Sequence, residues 1–151
     1  MSPDYVHGYG PDEVQRLQDQ ASTLVELLHA DTAYPAGASI LEAGCGVGAQ
    51  TVTLASRSPG ARFTSIDPSA ASIARAEAAV AAARLSNVTF RQADIFDLPF
   101  APRSFDHVFL CFVLEHLSRP LEALEMLRDV IKPGGTITVT RTCGPPMRST
   151  K

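Results

Sequence analysis

The chain has 151 residues, of which 45% are hydrophobic and 19% charged, the make-up of a globular unit built on one apolar core. A formal charge of -3 and a pI near 5.7 exclude the strongly basic surface that phosphate backbones would need, so nucleic acid is not the expected partner. Cys45, Cys111 and Cys143 are widely spaced, with no Cys-x-x-Cys pair and no histidine cluster beside them, so reduced thiols in a cytoplasmic protein are expected and a bound metal is not. The N-terminus lacks the basic-then-apolar order of a signal peptide. The longest apolar run, 108–114, is too short to span a bilayer, so no membrane association is expected.

In chain order, residues 1–10 mix glycine, proline and aromatics without periodicity and read as an irregular arm. Pro11, Asp12 and Glu13 suit the first turn of a helix. Its apolar stripe, Val14, Leu17, Ala21, Leu24, Val25 and Leu28, ends near His29. Beyond a turn-rich stretch, short strand-like runs at 39–42, 62–67, 88–92, 107–111 and 136–140 alternate with helical stretches at 48–58, 69–84 and 121–131. That alternation is the mark of βαβ units and a parallel sheet. The 69–84 stretch is rich in alanine, with Ser69 placed to cap it and Ile73, Ala76 and Val80 on one face. Pro133-Gly134-Gly135 is read as the stop of the last helix. The expected organisation is an arm and helix over 1–30, one α/β domain over 31–140, and an irregular tail over 141–151.

The chemistry is concentrated where strands end. Leu41-Glu42-Ala43-Gly44-Cys45-Gly46-Val47-Gly48 turns a strand into a helix, and its glycines permit a tight turn and close approach to a ligand. Gly44, Gly46 and Ala49 also satisfy the fingerprint of dinucleotide-binding folds, so the loop alone is ambiguous. Two acids narrow it. Asp67 ends the second strand, where a carboxylate can accept both hydroxyls of a ribose, and Asp94 follows the third strand at the same sheet edge, within reach of an adenine amino group.

These segments resemble the class I S-adenosylmethionine (SAM)-dependent methyltransferases, over residues 40–140. Leu41 to Gly48 is similar to the family's first motif, and Ser65-Ile66-Asp67-Pro68-Ser69 to its ribose-binding motif. Phe105-Asp106-His107-Val108 and Cys111-Phe112-Val113-Leu114-Glu115-His116-Leu117 resemble the small-molecule methyltransferases of the ubiquinone-biosynthesis type. The stretch from Leu127 to Gly135 resembles the family's last helix and the turn before its fifth strand. The resemblance implies an open, mainly parallel Rossmann-like sheet of order 3-2-1-4-5 with helices on both faces. It implies that Glu42, Ala43, Gly44, Cys45, Gly46, Gly48 and Gln50 lie toward the methionine moiety of the cofactor. Asp67 and Pro68 would meet the ribose, and Ala93, Asp94 and Ile95 the adenine. Cys111 and Phe112 would line the fourth strand's end. Tyr9 of the arm, with Arg16 and Gln20 of the first helix, is expected to close over the cofactor, an arrangement that resembles the lead-in of some small-molecule members.

Methyl transfer from a sulfonium needs positioning and desolvation more than covalent help. Where the acceptor needs a base, His116 and then His7 are the candidates by residue type. The family's sixth and seventh strands have no counterpart in 141–151, so the resemblance implies a shortened form of impaired activity. Its fifth strand would then be an open edge suited to pairing with a second copy. A SAM-binding module without catalysis is the alternative. A nicotinamide-dependent oxidoreductase fits less well, since Glu42 precedes the glycines, Asp94 follows strand three and no Tyr-x-x-x-Lys occurs. A nucleoside-triphosphate hydrolase is excluded by the lack of a Gly-Lys-Ser/Thr triplet.

Overall fold

A computed structural model describes residues 32–111 and 113–140. The expected arm and first helix, the tail, and with them His7, Tyr9, Arg16, Gln20, Phe112 and Cys143, lie outside the described residues.

Five strands, β1 (Ser39–Ala43), β2 (Arg62–Asp67), β3 (Val88–Gln92), β4 (Phe105–Cys111) and β5 (Ile131–Thr140), form one parallel sheet in the order β3-β2-β1-β4-β5. Helices α1 (Ala49–Arg57) and α2 (Ala70–Ala82) follow β1 and β2, and α3 (Pro120–Asp129) joins β4 to β5. The central strand β1 is buried on both sides, which is why Ile40, Leu41 and Ala43 are all apolar and Glu42 is its one buried charged residue. Ile40 packs with Leu54 and Ala55 of α1, while Leu41 and Ala43, on the opposite face, pack with Ala123 and Leu127 of α3. Helices therefore cover both faces. Ser69 caps α2 by accepting the Ser72 N–H at 3.2 Å, and Ile73, Ala76 and Val80 are buried as its spacing requires.

One boundary departs from the sequence reading. α3 stops at Asp129 rather than at Ile131, Ile131 already pairs with Phe105, and Pro133-Gly134-Gly135 is an excursion within β5 rather than a turn before it. Pairing resumes between His107 and Thr136. The reason is steric: a Cβ on Gly135 would stand 2.3 Å from the Asp106 carbonyl oxygen, so only glycine lets the excursion lie against β4.

Backbone and side-chain ties gather at the amino ends of the strands. Asn87 Nδ2 donates to the carbonyls of Ala55, Ser58 and Ala61 at 3.1–3.2 Å. Gly37 N–H reaches the Gly60 carbonyl at 2.9 Å, and Asp106 Oδ2 accepts the Ser39 N–H at 2.8 Å. The β3–β4 connection forms no helix. Its Ile95, Phe96, Leu98 and Phe100 seal the α3-side core instead, with the Arg119 guanidinium 4.4 Å above the Phe96 ring.

Candidate functional site

The order of strands reverses between β1 and β4, and in open parallel sheets the crevice at the carboxyl ends beside such a point is where ligands bind. The glycine loop stands there. Gly44, Gly46 and Gly48 have φ of +76°, +54° and +87°, a region that β-carbons disfavour, but the three glycines do different work. A Cβ on Gly44 would meet Val113 at 2.5 Å and one on Gly48 would meet the Ala76 Cα of α2 at 2.8 Å. Those two glycines bring the loop close to its neighbours. A Cβ on Gly46 would meet nothing within 4 Å among the described residues, so toward them this residue presents open space.

The loop's amides are largely spent on the protein itself. Gly44 and Cys45 N–H share the Ile66 carbonyl at 2.8 and 2.9 Å, Gly48 N–H reaches the Cys45 carbonyl at 3.0 Å, and Gly46 N–H donates to Asp67 Oδ2 at 3.0 Å. A loop of this kind offers a close surface rather than a nest of free donors for a pyrophosphate, which weighs against the dinucleotide reading. Asp67 Oδ1 accepts the Ser69 N–H at 2.9 Å, so one carboxylate ties the glycine loop to the start of α2. Half-buried at the end of β2, it holds its proton more tightly than an ordinary aspartate because of desolvation, against which its two backbone donors act.

Glu42 is 2% exposed and turned toward α1, where its Oε1 accepts hydrogen bonds from the hydroxyls of Thr51, in the first turn of α1, and Ser65 of β2. Burial pushes its proton affinity up, the two hydroxyls pull it down, and nearby Asp67 adds to the rise. The sequence reading missed Thr51 and Ser65. The signal was present in register: Ser65 stands two residues before Asp67 on one strand and thus on its face of the sheet.

Of the other expected contacts, Ala43, Cys45 and Gln50 are buried beneath or beside the loop, and Ile95 belongs to the α3-side core. Burial first, then the charges of Glu42 and Asp67, pushes the Cys45 thiol well above its ordinary range, which suits packing against Ile73 and Ala76 and not reactivity. Pro68 and Asp94 are exposed, and Ala93 is half-buried with its N–H on the Asp67 carbonyl at 3.1 Å. Asp94 Oδ1 accepts the Phe96 N–H at 2.9 Å, a turn that fixes the carboxylate at the rim. Cys111 is half-buried at the end of β4, and His116 is exposed in a 3₁₀ turn, Leu114–His116, just beyond it. The structure thus brings Gly46, Asp67, Asp94 and the 113–117 segment to one edge of the sheet. A groove lined by Pro35, Asp106, His107 and Lys132 lies at the opposite edge, where Asp106 is committed to Ser39 and His107 to Thr136, and belongs to the closing of the fold.

A five-stranded parallel sheet of this order, with a glycine loop after β1 and an acid ending β2, defines a Rossmann-like fold of the class I methyltransferase kind. Residues 41–139 match the methyltransferase domain family, and the chain belongs to it. It is 33% identical over 131 residues to trans-aconitate 2-methyltransferase of Deinococcus radiodurans, covering 87% of this chain and 48% of that protein. It is also 33% identical over 148 residues to demethylmenaquinone methyltransferase of Clavibacter sepedonicus, covering 90% of this chain and 58% of that one. Among solved structures, a SAM-dependent methyltransferase from Aquifex aeolicus superposes with a TM-score of 0.75 at 23% identity, over 92% of this chain and 79% of that chain. The chain spans about half the length of these two curated relatives. The family's cofactor is S-adenosylmethionine, and the crevice fits it through the open space over Gly46 and a carboxylate at each of the β2 and β3 ends.

Proposed function

We propose that this chain carries the cofactor-binding part of a SAM-dependent methyltransferase acting on a small-molecule acceptor. The observation that carries the reading is the junction of Gly46 with Asp67: a carboxylate at the end of β2 bonded to the loop amide beneath open space. Bound there, the cofactor supplies a methyl carbon already activated by a neutral leaving group. The chain's own residues then have to bind, orient and exclude water. Asp67 takes the ribose hydroxyls, Asp94 the adenine amino group, and the backbone of residues 44–48 lies against the methionine half. Cys111 and the 113–117 segment lie on the acceptor's side, with His116 the candidate by residue type to take a proton.

The ubiquinone-biosynthesis type is supported by Leu114-Glu115-His116 after β4 and by the similarity to a demethylmenaquinone methyltransferase. Among the described residues no helix is long and apolar enough to cross a membrane. β5 pairs with β4 on one side, and among the described residues no strand covers the other; the occupant proposed for that side is a second copy of the chain.

The test is isothermal titration of the purified chain with SAM and with S-adenosylhomocysteine, beside Asp67→Ala and Asp67→Asn. Binding in the micromolar range that falls at least about tenfold in both variants is expected, the loss of one charge-assisted contact to the ligand. A folded chain that binds neither compound overturns the proposal.

A further inference from the structure

Glu42 stands where the family resemblance puts an acid toward the cofactor's methionine, but its surroundings are those of a strut. Its two partners sit on different elements, Thr51 on α1 and Ser65 on β2, and Glu42 itself is on β1. The glycine loop runs from β1 to α1, so the Glu42–Thr51 bond spans the loop from one side to the other. Ser65 joins the same carboxyl to the strand that ends in Asp67.

Among the described residues, the titratable groups that act on this carboxyl, or that it acts on, are Asp67 at the end of β2, the Cys45 thiol in the loop and the Tyr34 phenol ahead of β1, none of them a cation. A buried carboxylate beside a second acid and without a cation is unfavourable, whereas a carboxyl satisfied by two hydroxyls is not.

The geometry points to Glu42 as a positioning residue: its carboxyl fixes the glycine loop between β1, β2 and α1 through Thr51 and Ser65 and makes no charge contact with the ligand. The inference rests on the SAM reading above for its ligand, but the strut itself does not. A glutamine side chain can accept from both hydroxyls and alanine cannot, so a neutral isostere rescues what truncation loses.

The experiment titrates S-adenosylhomocysteine into the wild-type chain, Glu42→Gln, Glu42→Ala, Thr51→Val and the Glu42→Ala/Thr51→Val double variant. Glu42→Gln is expected to bind within about threefold of wild type and Glu42→Ala and Thr51→Val about tenfold more weakly, with the double variant no weaker than Glu42→Ala. Glu42→Gln as weak as Glu42→Ala means that the ligand reads the charge and overturns the inference. Wild-type binding by Glu42→Ala or by Thr51→Val overturns it as well. Where Glu42→Ala does not fold, Glu42→Gln and Thr51→Val decide on the same criteria.

A second measurement is independent of any ligand. Wild-type unfolding free energy is expected to fall, as pH rises above the ordinary glutamate value of 4.5, more steeply than that of Glu42→Gln, because burial raises the proton affinity of the carboxyl in the folded state. Equal slopes overturn the strut. A wild-type chain that binds no ligand but keeps this difference in slope sinks the SAM reading and leaves the strut standing.

Discussion

The three glycines of the loop share a positive φ but not a purpose, so their substitutions separate. Alanine at Gly46 meets open space and carries only the left-handed strain, about 1–2 kcal/mol. At Gly44 the obstacle is a Val113 methyl, which can turn away; at Gly48 it is the Ala76 backbone, which cannot. Urea denaturation is expected to rank the losses Gly48→Ala, then Gly44→Ala, then Gly46→Ala, with overpacking adding about 1–3 kcal/mol at Gly48. Ligand affinity is expected to fall in Gly46→Ala, where the new methyl occupies the crevice while the fold survives. Asp106 tests electrostatics at the opposite edge. The Ser39 N–H holds its carboxyl below the usual aspartate range against desolvation, with Lys132 and His107 adding to the fall. A lowered folded pKa gives stability that is present above the unfolded value and lost as pH falls through the folded one. Asp106→Asn is therefore expected to be less stable than wild type at neutral pH, with the gap closing below the ordinary value of 3.8 in a denaturation series over pH. The positions of Asp67 and Asp94 at the carboxyl ends of β2 and β3 were legible in the sequence because each closes or follows a short run rich in β-branched and aromatic residues. The face of Ser65 could be read from its spacing to Asp67, but its bond to Glu42 and that of Thr51 could not, since a hydroxyl shows its partner only once both elements are packed.

At the scale of elements, α2 depends on its cap. Ser69→Ala removes the acceptor for the Ser72 N–H and is expected to cost about 1 kcal/mol by chemical denaturation. Leu127 of α3 is fully buried between helix and sheet, and Leu127→Ala is expected to cost about 2–5 kcal/mol in the same assay. The strands β2 and β3 and the cap of α2 were readable because proline, glycine and serine punctuate them. The α3–β5 junction was not. Val130 is buried, Ile131 half-buried, and both continue the spacing of α3, so periodicity alone cannot separate the last turn of a helix from the first residue of a strand when both pack against the same core. The Pro133-Gly134-Gly135 signal was read correctly as a break in regular structure and assigned to the wrong side of the strand's start.

For the whole molecule, the side of β5 away from β4, which no strand covers among the described residues, is the surface with most at stake. Val139 near its end is 36% exposed, and a lysine there places a charge on an edge that pairing would dehydrate. Sedimentation velocity of the chain is expected to show a concentration-dependent dimer, weakened in Val139→Lys; a monomer across the whole range in the wild type removes the second copy as occupant of that edge. The fastenings of Asn87, Gly37 and Asp106 bear on motion. They clamp the strands where they enter the sheet, like ribs riveted at the handle of a fan, while the other ends carry loops and a helix-free crossover. Breathing of the described part is then confined to the rim, and among residues 32–140 amide exchange is expected to be faster across 93–104 than in β1. Small molecules could come and go at that rim while the sheet beneath stays shut.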